Sequence, residues 1–276
     1  MPDHRNRDIY QEAFVPRDYL QQYYSRTSLP ADDQQLFRIF STWLRDRNRF
    51  FEHAIDIGCG PTMHNSFALT RFVGRIDLAD YLPQNLLEIA KWRDGLTEAH
   101  DWKHHFRGVL ECSGDDANLL RERIEEYRAK LDSLRRCDLC REGIWIPRDE
   151  SDVLDGLNGK SPGMLPPNYD LVTSFFCAEC ITQDTKVKTN WRSIISRIGS
   201  LVKDSGALFM AACRDCHRYR VLGEWFPVTP VDESDFEELL PSLGFINVQT
   251  WVVDAPDWAD DGFDQIVLVA AEKEVR

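Results

Sequence analysis

The sequence predicts an α/β fold built on a mostly parallel, doubly wound sheet. Three observations carry this. Short apolar runs with strand character alternate with segments whose apolar residues recur every three or four positions. One such run, Ala54 to Ile57, leads straight into the glycine turn Gly58-Cys59-Gly60. The next run, Arg75 to Ala79, ends on an acidic residue, Asp80.

In chain order, Tyr10, Phe14, Tyr19, Tyr23 and Tyr24 concentrate aromatics near the N-terminus, and Pro16 suits the first turn of a helix running to Tyr24. By spacing alone this helix packs on the core; a sharper reading makes it a lid over a ligand. A second helix starts from Pro30, with Leu36, Phe37, Phe40, Trp43 and Leu44 on one face. Phe50 to Ile57 begins the sheet. Pro83 opens a helix carrying Leu86, Leu87 and Ala90. Leu120, Ile124, Tyr127, Leu131 and Leu134 predict a single amphipathic helix over roughly 116–134. Residues 141–167 are rich in Gly and Pro and read as an irregular surface insertion. Tyr169 to Phe176 is a buried strand, and Trp191, Ile194, Ile195, Ile198 and Val202 mark a helix. Ser205-Gly206 turns into a strand from Ala207 to Ala212, and Asp232 caps a helix through Leu240. Ile246 to Val253 and Gln265 to Ala271 are the last strands.

Composition narrows the function. With 276 residues the chain can hold one large α/β domain with a cap. A net charge of −13 disfavours a nucleic-acid or anionic-membrane surface. No stretch reaches transmembrane length. No apolar run follows the charged N-terminal residues, so no secretion signal is visible. Eight cysteines in that setting suggest a reducing cytoplasm and free thiols or a metal, not a disulfide framework.

A strand, a glycine turn and a helix start form the general recipe for a nucleotide site. An acid about 20 residues after the glycines is placed to take both ribose hydroxyls of an adenosine. The full dinucleotide glycine pattern and the Lys-Ser/Thr pair of a triphosphate loop are both missing here. S-adenosylmethionine, which has no phosphate to cradle, fits what is left.

Three stretches then align with one family. They are Tyr10-x3-Phe14-x-Pro16-Arg17-Asp18-Tyr19-Leu20-x2-Tyr23-Tyr24, Ile55-Asp56-Ile57-Gly58-x-Gly60-Pro61-Thr62, and Asp80-Tyr81-x2-Gln84-Asn85-Leu86. Cys137-Asp138 and Gly199-Ser200-Leu201 add support. The chain resembles the nicotinamide N-methyltransferase, phenylethanolamine N-methyltransferase and indolethylamine/thioether methyltransferase group over nearly its whole length. The resemblance implies a Rossmann-like class I methyltransferase sheet, mostly parallel with an antiparallel last strand. It further implies an N-terminal helical lid over 1–49 and a cofactor-binding domain over 50–276.

Residue by residue, the resemblance puts Tyr10, Tyr19 and Tyr24 in the closed lid. Asp56, Gly58, Gly60 and Thr62 would lie by the methionine end of the cofactor. Asp80 would bind the ribose, Tyr81 and Asn85 would frame the adenosine, and Asp138 and Leu139 would meet the adenine. Phe176 would sit at the cofactor and border the substrate, with Phe14, Cys213 and Tyr219 on the substrate side. Tyr19 and Asp215 are the catalytic candidates. The expected activity is transfer of a methyl group from S-adenosylmethionine to a nitrogen of a small amine, guanidine or heteroaromatic compound. A cyclase or alkyltransferase that releases methylthioadenosine and a non-catalytic binding module are the alternatives. The expected protein is a monomer with no nucleic-acid or membrane partner.

Two features depart from the family. Cys213, with Asp215 two residues on, stands near the position where the nicotinamide enzyme has an acid meeting the substrate amide, so nicotinamide is not the expected acceptor. Instead, the Asp- and Trp-rich segment from Trp251 to Phe263 offers carboxylates and rings for an amine. The second departure is three CxxC pairs, Cys137/Cys140, Cys177/Cys180 and Cys213/Cys216, each after a strand end. Their spacing within each pair suits zinc, but pairs roughly 35 to 40 residues apart match no compact zinc module. Free thiols are expected, ahead of a structural zinc and of a redox pair.

Overall fold

A computed structural model describes residues 14–147, 168–181 and 188–275. Seven strands make one sheet: β1 (Phe51–Ile57), β2 (Val73–Asp80), β3 (Leu131–Arg136), β4 (Tyr169–Phe175), β5 (Val202–Cys213), β8 (Phe245–Asp254) and β9 (Gln265–Lys273). Their order is β3-β2-β1-β4-β5-β9-β8. The β1–β2, β2–β3 and β4–β5 pairs are parallel, whereas β9 runs antiparallel to both β5 and β8. The antiparallel last strand agrees with the sequence expectation. A separate hairpin pairs β6 (Arg218–Val221) with β7 (Glu224–Pro227).

The described residues divide into two compact units, one holding 16–138 and 145–147, the other holding the remaining described residues. In the first, β1, β2 and β3 are joined by helices. α1 spans Pro16–Tyr24, α2 Ala31–Asp46, α3 His64–Phe67, α4 Pro83–Arg93, α5 Lys103–Cys112 and α6 Leu120–Lys130. The apolar stripe of α2 is fully buried at Leu36, Phe37, Phe40 and Leu44, as its period requires. An aromatic core forms where Phe67 stacks on Phe106 at 4.0 Å and Tyr127 and Trp92 meet Phe106 edge-on.

The predicted helix over 116–134 is corrected here. Asp116 caps a short 3-10 turn, the α-helix ends at Lys130, and Leu131 to Arg136 is β3. Leu131 and Leu134 continue the helical period by coincidence. They are buried because β3 pairs with β2, Ile76 opposite Leu131 and Leu78 opposite Leu134. Past β3, Cys137 bridges to Trp145, and the rest of the expected insertion lies outside the described residues.

In the second unit, α7 (Thr189–Ser200) buries Trp191, Ile194, Ile195 and Ile198, and α8 (Glu233–Ser242) starts in a capping box of Asp232 and Asp235. β5 starts earlier than expected, at Val202, but Ser205 has φ of 60°, the register with β4 shifts there, and regular pairing runs from Ala207 as the sequence suggests. The β6–β7 hairpin had no sequence signal because its two-residue turn is Leu222-Gly223, with φ of 52° and 87°. Such a turn favours Asn or Gly first, so a leucine there hides it.

Candidate active site

In the first unit, the site grows from two strand ends. β1 and β2 are parallel and in register, Ile57 opposite Ala79, so Gly58 and Asp80 leave the sheet side by side. The N–H groups of Gly58 and Cys59 both donate to the Ala79 carbonyl, at 2.8 and 3.1 Å. Gly58 and Gly60 have φ of 71° and 58°, a region that only glycine enters at no cost. Thr62 donates its hydroxyl to the Cys59 carbonyl at 2.8 Å and closes the turn. A Cβ at Gly60 would meet nothing within 4 Å, so the turn has open space beside its backbone.

Asp80 ties the turn to α4. One carboxylate oxygen accepts from Gly60 N–H at 2.8 Å; the other accepts from Leu82 N–H and Asn85 Nδ2 at 2.9 Å each. Burial pushes its carboxyl above the usual range, while these hydrogen bonds pull the other way. Asn85 must direct its NH2 at Asp80, which leaves its Oδ1 facing elsewhere, buried and with no hydrogen-bond partner among the described residues. The Asp80 carbonyl accepts from Cys137 N–H at 2.9 Å, which fixes the end of β3 and the buried Asp138 after it. Tyr81 is half-buried, and Asp56 lies buried within β1, opposite Leu78. Open space at Gly60, an acid at the ribose position and an unused buried acceptor at Asn85 fit an adenosine-bearing cofactor.

α1 is docked in the same unit. Tyr24 inserts into a box of rings, 5.1 Å from His64, 5.3 Å from Trp102 and 5.6 Å from His105. His100 Nε2 lies 3.1 Å from the Tyr24 carbonyl, and Arg17 pairs with Glu88 on α4 at 3.6 Å. Tyr19 packs on Tyr23 and Tyr24 at 5.1 and 5.7 Å. Burial holds His64 well below the ordinary histidine range and lowers His105 to about 4. The box is therefore neutral, which suits an apolar face of a helix. Tyr10 lies outside the described residues.

The second unit holds the remaining candidates. Leu139 is buried, and its carbonyl accepts from Arg197 at 2.8 Å. Phe14 is half-buried. Phe176, just past β4, has φ of 52°, a strained value for an aromatic residue, while its N–H bonds the Ala211 carbonyl at 2.8 Å. Cys213, Cys216 and Val228 form a small core, with Phe176, Cys180, Tyr219 and Phe263 packed against it. Tyr219 stacks on Phe226 at 5.7 Å.

Asp215 does not join this group. Its carboxylate is largely exposed and pairs with Arg214 at 2.8 Å. The tail acids Asp254, Asp257, Asp260 and Asp264 also face solvent, and Asp261 is held by Arg220 at 2.9 Å. The most deeply buried acid among the described residues of this unit is Glu179, which is 1 % exposed and which the sequence did not single out. Its Oε1 accepts from Cys213 N–H at 3.0 Å, and burial pushes its carboxyl up to about 7. A lone Glu between two cysteines carries no sequence signal. Only the register, Phe175 opposite Ala211, brings it beside Cys213.

Comparison with known proteins bears on this geometry. The model of the NNMT/PNMT/TEMT family matches residues 4–274. The chain belongs to this family. It is 26 % identical over 245 residues to indolethylamine N-methyltransferase of Oryctolagus cuniculus, covering 86 % of this chain and 84 % of the relative. It is 27 % identical to nicotinamide N-methyltransferase of Homo sapiens, covering 87 % and 85 %. Phenylethanolamine N-methyltransferase of Homo sapiens is 24 % identical over 69 % of this chain and 61 % of that protein. Among solved structures, magnesium protoporphyrin IX methyltransferase of Synechocystis PCC 6803 with bound S-adenosylhomocysteine superposes with a TM-score of 0.53. That pair is 14 % identical and covers 97 % of this chain and 98 % of the other. The N-methyltransferase NodS of Bradyrhizobium japonicum WM9 gives 0.52 at 10 % identity, covering 94 % and 98 %. These two likenesses establish the class I methyltransferase fold.

The family member is an enzyme, an S-adenosylmethionine-dependent methyltransferase of small molecules. The cyclase and binding-module alternatives find no support among the relatives. No helix among the described residues is long and apolar enough to cross a membrane.

Proposed function

We propose that the acceptor is the basic nitrogen of a small amine or guanidine, and that Glu179 is the acid that recognises and deprotonates it. The carrying observation is the buried Glu179 carboxylate, 3.0 Å from Cys213 N–H, whose pKa burial has raised to about 7. When bound, S-adenosylmethionine supplies a methyl group activated by a sulfonium. The nitrogen attacks only as a neutral base, so an arriving ammonium or guanidinium must lose a proton. A carboxylate poised near neutrality attracts the cation when ionised and accepts that proton at Oε1 or Oε2. Phe176 and Tyr219 supply faces for the cation, and Cys213, a neutral thiol, offers no carboxylate acceptor to an amide NH2.

The cofactor role of Asp80, Asn85, Tyr81, Asp56, Gly58, Gly60, Thr62, Asp138 and Leu139 belongs to the same proposal. So does a lid formed by α1, with Tyr19 orienting the acceptor and excluding water. A cytoplasmic monomer acting on small molecules, with free thiols and no zinc, completes the reading.

The test offers the pure protein methyl-labelled S-adenosylmethionine and a panel of amines, guanidines and nicotinamide. Label in an amine or guanidine product, with S-adenosylhomocysteine formed in equal amount, is the expected result. Faster methylation of nicotinamide than of any basic acceptor would overturn it.

A further inference from the structure

The thiols at the ends of β4 and β5 neither carry the methyl group nor accept the acceptor's proton, yet they are arranged for chemistry of their own. β4 and β5 are parallel, with Phe175 opposite Ala211, so the Cys177/Cys180 and Cys213/Cys216 turns leave the sheet at one level. Cys213 and Cys216 are buried, 5 % and 1 % exposed, and Cys180 packs on them while half-exposed itself. The Cys213 and Cys216 side chains lie together in one buried cluster. Cys216 in turn lies 3.2 Å from the Arg218 carbonyl and 3.5 Å from that of Gly262, both within its S–H reach. Arg218 opens the β6–β7 hairpin that carries Tyr219. Gly262 packs so closely there that a Cβ on it would come 2.1 Å from the Arg218 carbonyl oxygen. One S–H group therefore seats the hairpin against the Gly262 turn.

We propose that Cys213 and Cys216 are a reversible dithiol–disulfide site, oxidised by peroxide, that sets how firmly the β6–β7 hairpin is held. The neighbouring Cys213 thiol lowers the Cys216 pKa, which favours Cys216 as the attacking sulfur. Its thiolate attacks one peroxide oxygen and the O–O bond breaks. The departing hydroxide takes up the thiol's proton as water and leaves a sulfenic acid on Cys216. The Cys213 sulfur then attacks the Cys216 sulfur and the S–O bond breaks. The leaving hydroxide combines with the Cys213 proton as a second water. Two thiols lose two electrons to one peroxide. The disulfide has no S–H, so the bonds to Arg218 and Gly262 are lost and Tyr219 is released from its place.

The functional consequence rests on the proposed acceptor role of Tyr219; the disulfide itself does not. The full-length protein is treated with hydrogen peroxide, its remaining thiols are alkylated, and its peptides are mapped by mass spectrometry. A Cys213–Cys216 disulfide that dithiothreitol reverses is expected, with the acceptor KM rising about threefold or more, as loss of a hydrogen bond implies. Cys216→Ser keeps an O–H donor toward Arg218 and should hold its KM through the same treatment. A Cys180–Cys216 link, no disulfide, or an equal KM rise in Cys216→Ser would overturn the proposal. If no basic acceptor is methylated at all, the acceptor reading fails while the mass map still decides the disulfide.

Discussion

The glycine turn after β1 and the thiol-lined end of β4 and β5 both follow parallel strands, yet they are built in opposite ways. The first is made of backbone. Gly58 and Gly60 hold left-handed angles, and Asp80 binds the turn through N–H groups. The second is made of side chains that are far apart in sequence. Glu179, Cys213, Cys216 and Tyr219 meet only because β4 pairs with β5 and the β6–β7 hairpin follows. A site made of backbone depends on few residue types and can serve one cofactor across many chains. A site made of side chains can change by single substitutions, and so is suited to choosing an acceptor.

That contrast can be broken most sharply at the lid. Deletion of the residues before Ser28 removes Tyr19 and Tyr24 while leaving the strands intact. Turnover should fall at least about a hundredfold, since misplacing the reacting groups costs that much. Circular dichroism should still report the sheet; full activity would remove the lid from the mechanism.

Glu179→Gln comes next and tests the acceptor side alone. Loss of a general base should lower kcat/KM for a basic acceptor by about a hundredfold, with cofactor affinity unchanged by calorimetry. In the wild type, activity should rise with pH through about 7, and the variant should lose that rise. Stability moves the other way. Glu179 has a folded pKa above its unfolded value, so its contribution is full below the unfolded pKa and is lost as pH rises through about 7. Glu179→Gln should therefore melt higher than the wild type at pH 8 and not at pH 4.

Asp80→Ala sharpens the cofactor side. Charge-assisted hydrogen bonds are worth about 1.5–3 kcal/mol each, so S-adenosylmethionine should bind about tenfold more weakly or worse. Unchanged affinity would remove Asp80 from the site. The smallest effect belongs to Asp215→Asn. An exposed carboxylate paired with Arg214 should change kcat/KM by less than about twofold, as surface substitutions do. A large loss would return the catalytic role to Asp215.

The sequence by itself determined the class of sheet, the glycine turn and the acid at Asp80. Each rests on a local rule: a 2- or 3.6-residue period, an angle that only glycine tolerates, or a fixed reach from one strand end to the next. It also announced the aromatic helix of Tyr19 and Tyr24. Tertiary structure alone decided that Leu131 and Leu134 belong to a strand, because pairing with β2 outweighs a helical period. Structure alone likewise put Glu179 in the interior, left Asp215 and the tail acids at the surface, and joined Cys213 to Cys216 within reach of Arg218. Burial is a property of what packs around a residue, and no local pattern in the chain records it.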